Sequence, residues 1–272
     1  MPEVTPGIAV AGVLLMLAGI PFCLIGIKKT KLQIFLSVAY LCSLGVTVLI
    51  VYVMNPPIKD AIQGAYVVAA TITGLFFGAI AVIFPEVTEK LGCLLGGFCL
   101  SMWFLVLKPG GLMNNTYGKL IMIAVFSLVV FGLAFHRVTK PYALISACAF
   151  SGATSVVLGI DCFSRAGLKE FWLYIWDLNS SMFPLNTDTY PHTRGMRVEI
   201  AIILLITIFG IMSQMKLWKI LKERRDQKRA QRLKEQEDVE KLNEDVGRRV
   251  EEEDRRARAE WEKIYGNTLG LH

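Results

Sequence analysis

Apolar residues in this chain come in long blocks separated by short polar gaps. The blocks run over residues 7–27, 34–53, 64–84, 91–107, 117–135, 142–160 and 198–215. Each is within or near the ~17–25 residues that a membrane-spanning helix needs. The gaps carry charge and helix stops: Lys28, Lys29 and Lys31, then Asn55-Pro56-Pro57, Pro85-Glu86, Lys108-Pro109-Gly110-Gly111, His136-Arg137 and Lys140-Pro141. The first block lacks a basic leader and a small-residue cleavage site, and it is long for a signal sequence, so it reads as a span containing Pro21. The pattern predicts an all-α, polytopic membrane protein with seven transmembrane helices in residues 1–215.

The seventh block passes without a stop into Lys216-Leu217-Trp218-Lys219-Ile220-Leu221-Lys222-Glu223-Arg224-Arg225. Residues 216–272 form a charged helical tail, expected in the cytoplasm. More basic residues sit in the loops that alternate with the outer ones, namely Lys28, Lys29, Lys31, Lys90, Arg137, Lys140 and the start of the tail. Against them stand Lys59, Lys108 and Lys119 outside, where the long loop, which counts less, adds Arg165, Lys169, Arg194 and Arg197. The excess of Lys and Arg on that side predicts an outside or lumenal N-terminus and a cytoplasmic C-terminus. Two glycosylation sequons, at Asn114 and Asn179, fall in predicted outside loops, and Asn114 lies close to the membrane.

Charge alters this picture within the tail. The net charge of +6 hides an asymmetry: residues 216–234 carry nine Lys/Arg against two Asp/Glu, and residues 235–263 carry twelve Asp/Glu against seven Lys/Arg. A basic stretch can bind nucleic acid, but one that abuts a span has the membrane surface as its nearest partner, and no nucleic-acid role is expected. Lys216, Lys219, Lys222, Arg224 and Arg225, with Trp218, are the candidate inner-leaflet contacts. Further on, Val239, Leu242, Val246, Val250, Ala257, Trp261 and Ile264 recur at steps of three, four or seven. They make a thin apolar stripe suited either to a single charged helix or to a coiled-coil contact with a cytoplasmic protein partner.

Small residues mark where span backbones approach. Gly74 and Gly78 in the third block, and Gly92 and Gly96 in the fourth, are spaced by four, the spacing that lets helices pack closely. They are the candidate helix-packing residues, the hairpin of spans three and four is expected to be the tightest unit, and a homodimer face is the alternative use. Between residues 161 and 197, Leu168, Phe171, Trp172, Ile175 and Leu178 have helical spacing, and Trp172, Tyr174 and Trp176 suit the headgroup layer. A short amphipathic helix on the outer interface is predicted, with a ligand lid as the sharper alternative.

Candidate chemistry is sparse. No Asp, Glu, Lys, Arg or His lies in the middle of a predicted span, which counts against ion-coupled transporters, proton pumps and intramembrane hydrolases. Asp161 and Glu199 stand near span ends. Thr71, Thr73, Ser101, Ser127, Ser146, Ser151, Thr154 and Ser155 could line a path or bond to their own helix carbonyls. The six cysteines show no metal or disulfide spacing and read as packing residues. No phosphate loop, nucleophile elbow or metal signature is present, so no catalytic residue, metal or cofactor is expected. A G-protein-coupled receptor would show span charges, late-span prolines and an outer cysteine pair, which are missing.

The glycine-rich third and fourth blocks, from Gly64-Ala65-Tyr66 through Gly74 and Gly78 to Gly92 and Gly96-Gly97-Phe98, together with Gly210-Ile211-Met212-Ser213-Gln214-Met215-Lys216-Leu217-Trp218, resemble the seven-helix membrane family of transmembrane protein 198, in its fungal form. The resemblance spans roughly residues 7–225. It implies seven spans, membrane residence and a domain of unknown function, and it brings no catalytic residues. Fungal members carry longer termini, so a short or partial version of a longer protein is expected. The leading expectation is a non-enzymatic scaffold or signalling adaptor of the secretory pathway or plasma membrane, held in the lipid bilayer, with a tail that binds a partner or the inner leaflet. A channel or carrier for a neutral or lipid-like solute is the alternative.

Overall fold

The structure is a computed structural model that describes residues 5–53, 60–113, 115–136, 138–176 and 192–265. Among these residues there is no strand. The helices are α1 (Pro6–Ile25), α2 (Thr30–Val53), α3 (Asp60–Ala81), the single turn α4 (Pro85–Thr88), α5 (Leu91–Val106), α6 (Thr116–Leu133), α7 (Lys140–Ser164), α8 (Leu168–Ile175) and α9 (Arg194–Tyr265). A 3₁₀ turn, Gly26–Lys28, joins α1 to α2. By length and composition α1 with its turn, α2, α3, α7 and α9 can each cross a membrane, and α5 and α6 are shorter apolar helices.

Local chemistry explains the boundaries. Thr5 caps α1, with Pro6 in its first turn. Asn115 caps α6 through its side-chain oxygen. The third apolar block ends as a helix at Ala81, because Pro85 starts a new turn after Val82–Phe84. The sixth apolar block continues as helix four residues past Ile160 and ends only at Arg165, which adopts the left-handed conformation at φ 55°.

Two compact units result, Met1–Trp218 and Lys219–His272. In the first, α7 is central. Its small residues Ala147, Ala149, Ser151, Gly152 and Ala153 are all buried, and α1, α5, α6 and α8 all pack against it. The tightest pairs are α1 with α7, α2 with α3, and α5 with α6. This corrects the expected hairpin of spans three and four. Here α3 packs on α2 and α1, while α5 packs on α6, α7 and α2, because small-residue-rich α7 takes the place beside the α5 glycines.

The α8 expectation also changes. Leu168, Phe171, Trp172 and Ile175 form a buried face that joins the main core with Met102, Leu105 and Met196. The apolar side of α8 is satisfied by the bundle, with Phe98 edge-on to Trp172, rather than left for the headgroup layer. Tyr174 and Trp176 pack on the same core. Leu178 lies outside the described residues.

Candidate functional site

Glycine contacts define how the bundle closes. A Cβ built at Gly74 would sit 2.7 Å from the Ala39 carbonyl oxygen, and one at Gly78 would sit 2.8 Å from that of Phe35, so both face α2. At Gly92 the nearest atom is Ser37 Oγ at 2.9 Å, and at Gly96 it is Ala147 Cβ at 2.4 Å. A second seam escaped the sequence reading. Gly12 lies against Gly159 and Gly19 against Gly152, on antiparallel α1 and α7. A Cβ at Gly152 would be 2.5 Å from Cys23 N, and one at Gly159 would be 2.7 Å from Gly12 O. Both pairs are spaced by seven, two helical turns on one face, and that spacing was the available signal.

Polar side chains join the helices at three levels. At one end Asp161 is fully buried. Its carboxylate accepts from Gly167 N, just before α8, at 2.9 Å and from Lys169 N, in the first turn of α8, at 2.7 Å. Lys169 Nζ is 3.7 Å from Asp161 and 2.9 Å from Glu170. Burial pushes the Lys169 ammonium down, but the hydrogen bond to Glu170 and the charges of Glu170 and Asp161 outweigh it and hold the group above its ordinary range. Ser164 Oγ donates to Glu199 Oε1 at 2.7 Å, and Thr193 Oγ1 donates to Ala166 O at 2.9 Å, tying α9 to the end of α7. His192 meets the Phe171 ring edge-on, and burial lowers its imidazole below the ordinary range. The two carboxylates that the sequence placed near span ends are thus buried joints.

In the middle, the Tyr40 and Ser155 hydroxyls lie 2.8 Å apart, and both reach Leu15 O, at 3.4 and 3.0 Å. This links α1, α2 and α7. At the other end Gln214 of α9 donates from Nε2 to Cys23 O at 2.6 Å and Phe22 O at 3.3 Å. Those carbonyls belong to the last turn of α1, where a helix leaves acceptors without intrahelical donors. Each such bond contributes about 0.5–1.5 kcal/mol net, whereas a buried orphan costs about 1–3 kcal/mol. Glu89 also ion-pairs with Lys140 at 2.6 Å, so the Glu86–Lys90 turn is tied to α7 rather than fully solvated. Gln33, Tyr40 and Gln214 were missed, since a single uncharged polar residue in or beside an apolar block carries no distinctive pattern.

The remaining candidates are placed as follows. Thr71, Thr73, Ser146, Ser151 and Thr154 each donate to the carbonyl four residues back, and Ser101 donates to the one three back. Lys216, Lys219, Lys222, Arg224 and Arg225 are exposed on α9, and the half-buried Trp218 ring lies 5.7 Å from that of Tyr142. Asn114 and Asn179 lie outside the described residues. All six cysteines are free thiols. Among the described residues no group of three His, Cys, Asp or Glu could hold a metal ion.

Long apolar helices joined by glycine seams and buried polar joints define an integral membrane protein. The chain belongs to the TM7S3/TM198-like domain family, whose model matches residues 12–215. Neither a curated protein nor a solved structure matches it.

Proposed function

We propose that the chain is a seven-span, non-enzymatic membrane scaffold, with its N-terminus outside and a cytoplasmic tail that recruits a protein partner. One observation carries this reading. In the second unit Val239, Leu242, Val246 and Val250 are each at least half exposed, on a helix whose remaining residues are mostly charged. Steps of three and four keep them on one face, which makes a narrow apolar stripe with charged flanks, suited to a partner helix. The buried polar groups of the membrane unit support the same reading. Asp161 is engaged with backbone amides and Glu199 with Ser164, so the reading assigns them to structure. Six of the eight hydroxyls that could line a solute path spend their donor on a carbonyl of their own helix, and Ser155 lies within reach of Leu15 O, which favours the scaffold over the channel reading.

The test replaces Val239, Leu242, Val246 and Val250 with Gln in the full chain, a change that keeps helix propensity while removing the stripe. Proximity labelling from the C-terminus should then lose a defined subset of neighbours, while the protein stays in the membrane fraction. An identical neighbour set for variant and wild type defeats the reading.

A further inference from the structure

At the end of the bundle where α1 finishes and α2, α5 and α7 begin, three uncharged polar side chains are almost completely buried: Gln33 is 2% exposed, and Ser37 and Gln214 are 0% exposed. Each has an atom with no hydrogen-bonding partner: Gln33 Nε2, Ser37 Oγ and Gln214 Oε1. The Gln214 amide cannot simply be turned over to cure this. Its nitrogen faces two carbonyl oxygens, Phe22 O and Cys23 O, so its oxygen must point elsewhere and accept.

These atoms converge on Cys148. A Cβ at Gly92 would lie 2.9 Å from Ser37 Oγ, 3.5 Å from Gln33 Nε2 and 3.8 Å from Cys148 Sγ. A Cβ at Gly26 would lie 3.4 Å from Cys148 Cβ and 3.6–3.7 Å from the Gln214 amide. The two glycines therefore bring backbone close to Cys148 and place it between the Gln33–Ser37 pair and the Gln214 amide. The partners on offer are a donor, an acceptor and a hydroxyl that does both. None is charged, so neither a cation nor an anion is matched by the set. A neutral molecule that both donates and accepts is matched, and water is the smallest such molecule.

We propose that this end of the bundle binds internal water, bridging Gln33 Nε2, Ser37 Oγ and Gln214 Oε1 beside Cys148. The water completes the joint by which Gln214 of α9 caps α1, and it makes the place where α1, α2, α5, α7 and α9 meet a hydrated polar centre. The inference is independent of what the tail recruits.

The experiment is X-ray radiolytic footprinting of the full chain in detergent micelles, read by mass spectrometry. A bound water generates oxidising radicals in place, so Cys148 should be labelled several-fold more than Cys99, which is also buried but lies away from these three side chains. Equal labelling of Cys148 and Cys99 overturns the proposal. Gly26→Ala provides the second arm, because a methyl fits there at ordinary contact distance. By crowding the approach to Gln214 Oε1 and Cys148, it should abolish the excess label on Cys148 and lower the melting temperature. A folded Gly26→Ala protein, judged by its size-exclusion profile, that keeps the Cys148 label overturns the placement. If that variant does not fold, the wild-type ratio alone decides.

Discussion

Gly152 shows how much one absent side chain contributes. Its Cα faces the Cys23 backbone so closely that any Cβ would meet that backbone at 2.5 Å, a distance no flexible neighbour can relieve. Gly152→Leu is therefore expected to separate α1 from α7 and to lower stability by about 1–3 kcal/mol or more, the range for overpacking a filled core. Gly74→Leu should act in the same direction at the α2–α3 contact. Gly45→Leu is the control, since nothing lies within 4 Å of a Cβ there. Thermal unfolding in detergent, followed by loss of the monodisperse size-exclusion peak, measures all three. A Gly152→Leu protein that melts with the Gly45→Leu control would show that the seam tolerates bulk.

At the scale of the element, α9 changes character along its length. Met196, Ile200, Ile203 and Gln214 are buried in the first unit. From Lys216 onward the basic side chains are exposed, and Leu217 and Trp218 remain half-buried. The 216–225 stretch thus combines an apolar side with a cationic one, the arrangement that seats a helix on an anionic leaflet. Each basic group near such a surface contributes about 1 kcal/mol, so five amount to several before helix ordering is subtracted. A peptide of residues 214–234 is expected to bind vesicles containing anionic lipid, to ignore neutral ones, and to lose affinity in high salt as screening grows. Trp218 fluorescence should shift to the blue on binding. No binding to anionic vesicles at low salt would leave these charges only the task of setting orientation during insertion.

The whole molecule supplies a consistency check on topology. Gly12 with Gly159 and Gly19 with Gly152 make α1 and α7 antiparallel, and Gly74 with Ala39 and Gly78 with Phe35 do the same for α2 and α3. Gln214 beside Cys23 brings the far end of the apolar part of α9 to the far end of α1. These directions are compatible with the seven crossings proposed above. In the orientation proposed from the loop charges, cysteine labelling from outside intact cells should reach an introduced Asn179→Cys and miss Thr139→Cys. The six native thiols are buried or half-buried and give little background. Labelling at Thr139→Cys would reverse the orientation.

Membrane residence, helical class and the approximate helix bounds were legible in the sequence, because the length of an apolar block and the prolines and charges that end it are local properties. The glycines at 74, 78, 92 and 96 were legible as close-approach positions but not as contacts, since a small residue marks a face and not the helix that fills it. Only the packed structure assigned Gly74 and Gly78 to α2 and Gly96 to α7, and turned α8 into the core. The polar joints were the least legible. Asp161 and Glu199 only stand near span ends in a linear reading, and Gln33 and Gln214 lie far apart along the chain, with no shared spacing. Their burial and their partners depend on helices distant in sequence meeting at the two ends of the bundle, and that condition exists only once the bundle has closed.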